Sequence, residues 1–179
     1  MPYQRVLDFW FQDTSPDLWF AQNDDFDHKI RQEFYSLWQS ACRAELAAWR
    51  TTIHGRLAEI IVLDQFSRNL NRDSAEAFAQ DPMALALAQE ALKQPDFEQL
   101  NQVERNFLLM PFMHSESVLI HQEAVPLLKR YTSAETYEFE LKHQAIILRF
   151  GRYPHRNAAL GRVSSPEEIA FLQEPGSSF

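Results

Sequence analysis

Residues 147–157 read Ile-Leu-Arg-Phe-Gly-Arg-Tyr-Pro-His-Arg-Asn, an apolar helical segment followed at once by a cluster of basic side chains. Residues 136–150 carry two interleaved apolar sets at helical spacing, which predicts a helix buried on nearly every side. Thr132 and Glu135 predict a capping box at its start, and Gly151 is typical of a helix C-terminus. We therefore expect the polar cluster to emerge at the end of a core helix.

The other segments follow the same pattern of apolar residues at helical spacing between capping residues or prolines. The predicted helices span roughly 3–11, 16–20, 24–41, 53–69, a short segment from about 73, 81–94, 101–110, 115–131, 136–150 and 166–172. No strand-like alternation stands out, and the length and apolar content suit one sizeable core. The sequence predicts an all-α protein with a single domain over 1–179.

Composition limits the compartment and the class of partner. The single cysteine, Cys42, cannot form an intramolecular disulfide, which fits a reducing compartment. No apolar run reaches 18 residues, and the N-terminal segment has no signal-peptide pattern. We therefore expect a soluble cytoplasmic protein that does not act at a membrane.

The charge distribution is uneven. Residues 140–162 contain five Lys and Arg residues against Glu140 alone, whereas the whole chain carries a net charge of −8. An acidic chain repels nucleic acid over long range, so the local basic cluster favours a small anion or an acidic protein partner. The structural alternative is that arginines after a helix C-terminus satisfy its last carbonyl groups.

A second polar group lies in the predicted helix 53–69. Leu57, Ile61, Asp64 and Arg68 fall on one face, so a carboxylate and a guanidinium continue an apolar stripe. One interpretation is a buried Asp64–Arg68 pair, linked to the arginines of 149–157, that fixes helix packing. The other makes Asp64 a base, or a group that orients another side chain in a pocket.

Residue spacing argues against several chemistries. No two of the six histidines stand three or four apart, so no helix offers a local metal-chelating pair, and we predict no metal site. The four glycines form neither a phosphate-binding loop nor a dinucleotide fingerprint, and we predict no cofactor. If His114, Glu116 and His143 converged near Arg149 or Arg152, the site would combine an acid/base group with an anion clamp.

Four motifs resemble one known family. They are Val-Leu-Asp-Phe-Trp-Phe at the start, Leu-Asp-Gln-Phe-Ser-Arg-Asn-Leu at 63–70, Met-Pro-Phe-Met-His-Ser-Glu at 110–116 and Arg-Phe-Gly-Arg-Tyr-Pro-His-Arg-Asn at 149–157. Their sequences and their order resemble those of a bacterial family catalogued as domain of unknown function 924. The resemblance extends from about Val6 to Phe179. Ser67, Tyr153 and Met113 depart from the family pattern, but the charged positions are retained. The resemblance implies a right-handed, tetratricopeptide-like superhelical array of antiparallel helices, and no established activity, substrate or cofactor.

Two functions and one structural alternative remain open. A cavity could bind a small phosphate or carboxylate ligand, or a concave helical surface could bind a peptide or acidic protein. Alternatively, the polar groups form a buried network that only holds helices in register. The candidate ligand-binding residues are Asp64, Arg68, Arg105, His114, Glu116, His143, Arg149, Arg152, His155, Arg156 and Asn157. Catalytic residues and oligomeric state are left open.

Overall fold

The computed structural model describes residues 1–178, which form nine α-helices and no strand. The helices are α1 Tyr3–Asp8, α2 Asp24–Cys42, α3 Ile53–Ile61, α4 Ser67–Leu70, α5 Asp81–Ala91, α6 Gln102–Met113, α7 Val118–Tyr131, α8 Ala134–Phe150 and α9 Pro166–Phe171. Short 3-10 turns occupy several of the connections, among them Pro16–Leu18 and Pro154–Arg156. The all-α prediction is confirmed.

Local sequence explains where most helices begin. The side chains of Asn23, Thr52, Asn101, Ser133 and Ser165 each accept a hydrogen bond from a backbone N–H in the first turn of the helix that follows. Such caps satisfy donors that have no partner within the helix. Complete capping boxes begin at Asn101 and Ser165.

Several predicted boundaries differ from the structure, three of them around α6, α7 and α8. Helix α8 is capped by Ser133 rather than Thr132, and α7 is preceded by Ser117 rather than Ser115. Helix α6 continues through Pro111, because a proline near the C-terminus of a helix removes one backbone hydrogen bond without ending the last turn. This continuation carries the helix to Met113 and places His114 at its C-cap.

Helix α8 is buried on one side only, which corrects the prediction of a helix surrounded by core. Glu140, His143 and Ile147 face inward, whereas Phe139 and Leu148 are 40% and 62% exposed. Helix α8 packs against α7 and α6, so its opposite side is left to solvent. The second apolar set therefore lies partly on the surface.

The main hydrophobic core is rich in aromatic side chains. Trp10 contacts Trp19, Phe26, Phe66 and Phe107 with ring centroids 5.5–6.5 Å apart, a range in which aromatic pairs attract one another. A smaller cluster joins Ile146, Ile147, Tyr153 and Phe171 beneath the end of α8. None of the helices in residues 1–178 has the length and apolar character needed to cross a lipid bilayer.

A π-helical turn at Val62–Phe66 interrupts the predicted helix 53–69 and joins α3 to α4. Such turns insert an extra residue into an α-helix and change the direction of the side chains around it. Asp64 lies within this turn and is buried. The first polar residue of the candidate site therefore projects from an irregular part of the helix.

Candidate functional site

Asp64 and His114 form a close pair at the centre of the polar group. The Nδ1 atom of His114 lies 2.6 Å from Oδ1 of Asp64. A buried carboxylate accepts hydrogen bonds, so this contact assigns the proton to Nδ1. Among residues 1–178 no hydrogen bond reaches the other ring nitrogen, Nε2 of His114.

Two arginines join this pair to the start of α5. Arg68 donates from Nη1 to Oδ1 of Asp64 at 3.1 Å and makes a two-pronged contact with Asp81 at 2.9 and 3.0 Å. Arg156 lies 3.2 Å from the same Asp81 carboxylate and donates from Nη2 to the carbonyl oxygen of His114 at 2.9 Å. We call Asp64, Arg68, Asp81, His114 and Arg156 the Asp64 network.

The charges of this network compensate one another. Burial alone would raise the pKa of the Asp64 carboxyl, but His114, Arg68 and a hydrogen bond from Gln65 hold that pKa well below its usual range. Burial lowers the pKa of Arg156, and the nearby Asp81 opposes that shift. The Arg156 guanidinium lies between the rings of Phe78 and Tyr153, with its Cζ atom 4.5 and 4.7 Å from their centroids. Asp64 is therefore held as an anion by three neighbouring groups.

A second buried group surrounds Tyr153. The Tyr153 hydroxyl donates to the carbonyl oxygen of Met113 at 2.5 Å and lies 3.1 Å from Nε2 of His121. That Nε2 atom is 2.8 Å from the carbonyl oxygen of Ser115, an acceptor, so Nε2 carries a proton. The other ring nitrogen of His121 contacts Glu140 at 2.7 Å. Burial raises the pKa of Glu140 above its usual range.

Glu116 fastens the segment after α8 to the loop between α6 and α7. Its carboxylate accepts the backbone N–H of Tyr153 at 2.7 Å and two hydrogen bonds from Arg162 at 2.7 and 2.9 Å. Arg162 also donates to the Asn157 side-chain oxygen at 2.9 Å. Burial would raise the pKa of Glu116, but these hydrogen bonds lower it below the usual range. Glu116 and Asn157 therefore help to hold the fold at this point.

His143 and His155 both lie next to Tyr153, each with its ring centroid 5.6 Å from that of Tyr153. The Nδ1 atom of His143 is 2.7 Å from the carbonyl oxygen of Phe139. Burial lowers the pKa of His143 to about 3, and burial together with the charge of Arg156 lowers that of His155 to about 4. Both histidines are therefore neutral at pH 7.

A cleft of about 330 Å³ opens beside the Asp64 network, which is at the lower end of the range for ligand pockets. We call it the His114 cleft. Its polar lining consists of Asp81, His114, Ser115, Glu116 and Arg156. Its apolar lining consists of Ala75, Phe78, Ala79, Pro82, Leu85, Pro111 and Leu160. The Nε atom of Arg156 is buried without a hydrogen-bond partner among residues 1–178.

The structure brings together most, but not all, of the residues predicted from sequence. Arg105 donates to the carbonyl oxygen of Glu98, and its guanidinium lies over the Phe97 ring. Arg149 pairs with Glu167 on the surface. Neither arginine lines the His114 cleft, so the two do not join the group around His114.

The basic segment is not an exposed cationic patch, which corrects the expectation from sequence. Arg152 forms a two-pronged pair with Glu168 at 2.7 and 2.8 Å and donates to the carbonyl oxygen of Val163. Arg149, Arg156 and Arg162 also have acidic partners. Only tertiary packing supplies these acids, which come from α5, α9 and the loop before α7. Arg156, the arginine that does reach the cleft, is 6% exposed.

Sequence reasoning missed Asp81, His121, Glu140, Tyr153 and Arg162 as members of the polar groups. Asp81 precedes a proline, a pattern that by itself indicates only a helix start, because acids often have that role. Glu140 carried a detectable signal, because it stands three residues before His143 and seven before Ile147 on one helical face. An acid in that register predicts a buried partner.

The donor set offers no clear metal centre. In the part of the chain that the structure describes, no group of three or more His, Cys, Asp or Glu side chains is arranged to hold a metal ion. The arrangement instead combines an oriented imidazole, a buried guanidinium and an apolar wall. This set can bind a small molecule and accept or donate a proton.

Comparisons with known proteins agree with this fold. A structure described as a protein of unknown function, ATU0120 from Agrobacterium tumefaciens, is 33% identical, covers 96% of both chains and superposes with a TM-score of 0.90. No curated protein matches the sequence. Residues 6–176 match the family described as bacterial protein of unknown function (DUF924). The chain therefore belongs to the DUF924 family.

Proposed function

We propose that the His114 cleft binds a small organic anion through a carboxylate or phosphate group. The observation that carries this proposal is one buried donor without a partner and one ring nitrogen without a partner among residues 1–178, both in residues that line the cleft. Nε2 is the ring nitrogen of His114 that Asp64 does not occupy, and Nε of Arg156 is buried without a partner among the described residues. A buried donor left without an acceptor is costly, so a bound anion that accepted from Nε of Arg156 would stabilise the site. The same anion would also accept from Nε2 of a His114 ring that is protonated on both nitrogens.

The surroundings favour ligand binding over a purely structural role. Asp64 holds the His114 ring in one orientation, and the Phe78 and Tyr153 rings hold the Arg156 guanidinium. Preorganised donors lose little freedom on binding, which favours affinity. The polar side chains also border an open cleft, whereas a network that served only packing would have no need of one.

The test is a thermal-shift screen at pH 7 with small carboxylated and phosphorylated metabolites. A ligand at 100 times its dissociation constant should add about 2.7 kcal/mol of stability. His114→Asn should abolish the ligand-induced rise in Tm, and Arg149→Gln, which changes an arginine outside the cleft, should leave it unchanged. A wild-type protein whose Tm no anion raises would contradict the proposal.

An alternative proposal is a protein-interaction module with a tetratricopeptide-like, right-handed superhelical arrangement in the cytoplasm. Packing between consecutive helices α5, α6, α7 and α8 supports the arrangement, and the lone Cys42 supports a reducing compartment. The exposed Leu119 and Leu148 support an interaction surface. This alternative would be favoured by a captured protein partner that still binds the His114→Asn variant. The same partner should fail to bind the double variant Leu119→Ser and Leu148→Ser.

A further inference from the structure

The lining of the His114 cleft is divided between one polar patch and a larger apolar wall. His114, Ser115 and Glu116 are consecutive, and Arg156 contacts both Asp81 and the carbonyl oxygen of His114. The polar lining residues are therefore joined into one patch. The remaining wall contains Phe78, Pro82, Leu85, Pro111 and Leu160. A ligand filling this space needs one polar group and a predominantly apolar body.

The charge of the polar patch limits the charge of that polar group. Asp81 and Glu116 line the cleft together with Arg156 and His114. Both acids already have cationic partners, Arg68 and Arg156 for Asp81 and Arg162 for Glu116. A second negative charge on the ligand would therefore lie close to carboxylates without a free cation to match it. The patch suits a single negative charge better than a doubly charged phosphate.

We infer that the ligand of the His114 cleft is an amphipathic monocarboxylate, with its carboxylate next to His114 and Arg156 and an apolar chain or ring against the Phe78 and Leu85 side. This inference rests on the proposed function and names the class of its ligand.

The size of the cleft sets the length of the apolar part. The cleft has a volume of about 330 Å³, at the lower end of the range for ligand pockets, so it limits how much of an apolar chain can be covered. An unbranched acid of medium chain length should therefore fill the cleft.

The first experiment is a calorimetric and NMR titration of the full chain at pH 7 with butanoate, hexanoate, octanoate and dodecanoate, each below its micelle concentration. Each added methylene should tighten binding roughly fourfold, the equivalent of about 0.8 kcal/mol, until the cleft is full. Affinity should then stop rising between octanoate and dodecanoate. Octylamine tests a cationic head group on the same apolar chain. Inorganic phosphate tests an anion that has no apolar chain.

Two leucine variants test the apolar wall. Leu85 is half-buried and lines the cleft, whereas Leu148 is exposed on α8 and does not. Leu85→Gln should weaken octanoate binding at least about fivefold while changing butanoate binding much less. Leu148→Gln is the matched control and should bind both acids as the wild type does. Equal octanoate affinities in the two variants would overturn the apolar-wall assignment.

The panel separates failure of this inference from failure of the proposed function. The monocarboxylate inference would be overturned if inorganic phosphate bound and if the affinity of the carboxylic acids did not depend on chain length. That result would leave the proposal of anion binding intact. Tighter binding of octylamine than of octanoate, or binding of no anion at all, would overturn both.

Discussion

Oδ1 of Asp64 and Nδ1 of His114 lie 2.6 Å apart although the two residues are separated by 50 positions in the chain. Asp64 projects from the π-helical turn after α3, and His114 is the C-cap of α6. The contact therefore joins two helices and at the same time orients the imidazole that lines the His114 cleft. A carboxylate that fixes one ring nitrogen leaves the other for a ligand.

Replacing Asp64 with Asn should cost about 3 kcal/mol of unfolding free energy. The substitution keeps the volume but leaves Arg68 with one acidic partner fewer and removes the anion that His114 contacts. Urea denaturation at pH 7 measures the loss. Glu167→Gln, which breaks the exposed pair with Arg149, should change stability by no more than about 0.5 kcal/mol. Similar losses in both variants would show that the buried pair has no special energetic role.

Stability should fall as the pH decreases from about 6.5, where an unfolded histidine begins to bind a proton. Burial lowers the pKa of folded His143 to about 3, so between about pH 3 and 6.5 the unfolded chain binds more protons than the folded chain. His155, with a folded pKa of about 4, acts in the same direction. The stabilising contribution is thus complete above about pH 6.5 and is lost as the pH falls.

His143→Gln provides the test of this pH dependence. It should reduce the slope of unfolding free energy against pH by about 1.4 kcal/mol per unit between pH 5 and 6, because one proton no longer binds on unfolding. Glu140, whose pKa is raised by burial, opposes the histidines but is present in both proteins. The comparison of slopes therefore isolates His143, and unchanged slopes would contradict a neutral buried histidine.

Tyr153→Phe should destabilise the protein by about 1–2 kcal/mol. The change removes the hydroxyl that donates to the buried carbonyl oxygen of Met113 and that contacts His121. The Met113 carbonyl oxygen would then be buried without a hydrogen-bond donor and without water, and this costs free energy. Thermal and urea unfolding should both report the loss, and Tyr35→Phe on the exposed side of α2 is the control. Equal stability of the two variants would mean that water or another donor replaces the hydroxyl.

Gly55→Ala should destabilise the fold by at least about 2 kcal/mol. A Cβ atom at position 55 would lie 1.9 Å from the carbonyl oxygen of Trp49, a backbone atom that cannot rotate away. Gly151→Ala is the comparison, because Gly151 has a φ of +70° but open space around it. Its cost should be limited to about 1–2 kcal/mol of left-handed strain. A smaller loss for Gly55→Ala than for Gly151→Ala in urea denaturation would contradict the close approach.

Much of the fold was predictable because its signals are local. Asn101 and Ser165 cap helices as their capping boxes predict, and Gly151 ends α8 in the left-handed conformation. The predicted Asp64–Arg68 pair also forms, since four residues along a helix bring side chains together. The π-helical turn around Asp64 was missed, because an extra residue within a helix leaves no distinct pattern of apolar spacing.

The partners of the charged residues were less predictable. The basic count over 140–162 indicated a cationic surface, yet Arg152 and Arg156 pair with Glu168 and Asp81. Charge counted along the chain omits acids that arrive from distant segments. The aromatic rings on either side of Arg156 were equally hidden, because Phe78 and Tyr153 are 75 positions apart in the sequence.

The sequence by itself determined the all-α class, most helix ends, the family and the residue types of the polar motifs, because capping and apolar periodicity act within a few residues. Only the tertiary structure decided which of those polar residues meet. It brought Asp81, His114 and Arg156 to one cleft, placed Asp64 behind His114 and left Arg105 and Arg149 elsewhere. The reason is physical: buried charges must find partners, and helix packing determines which segments supply them.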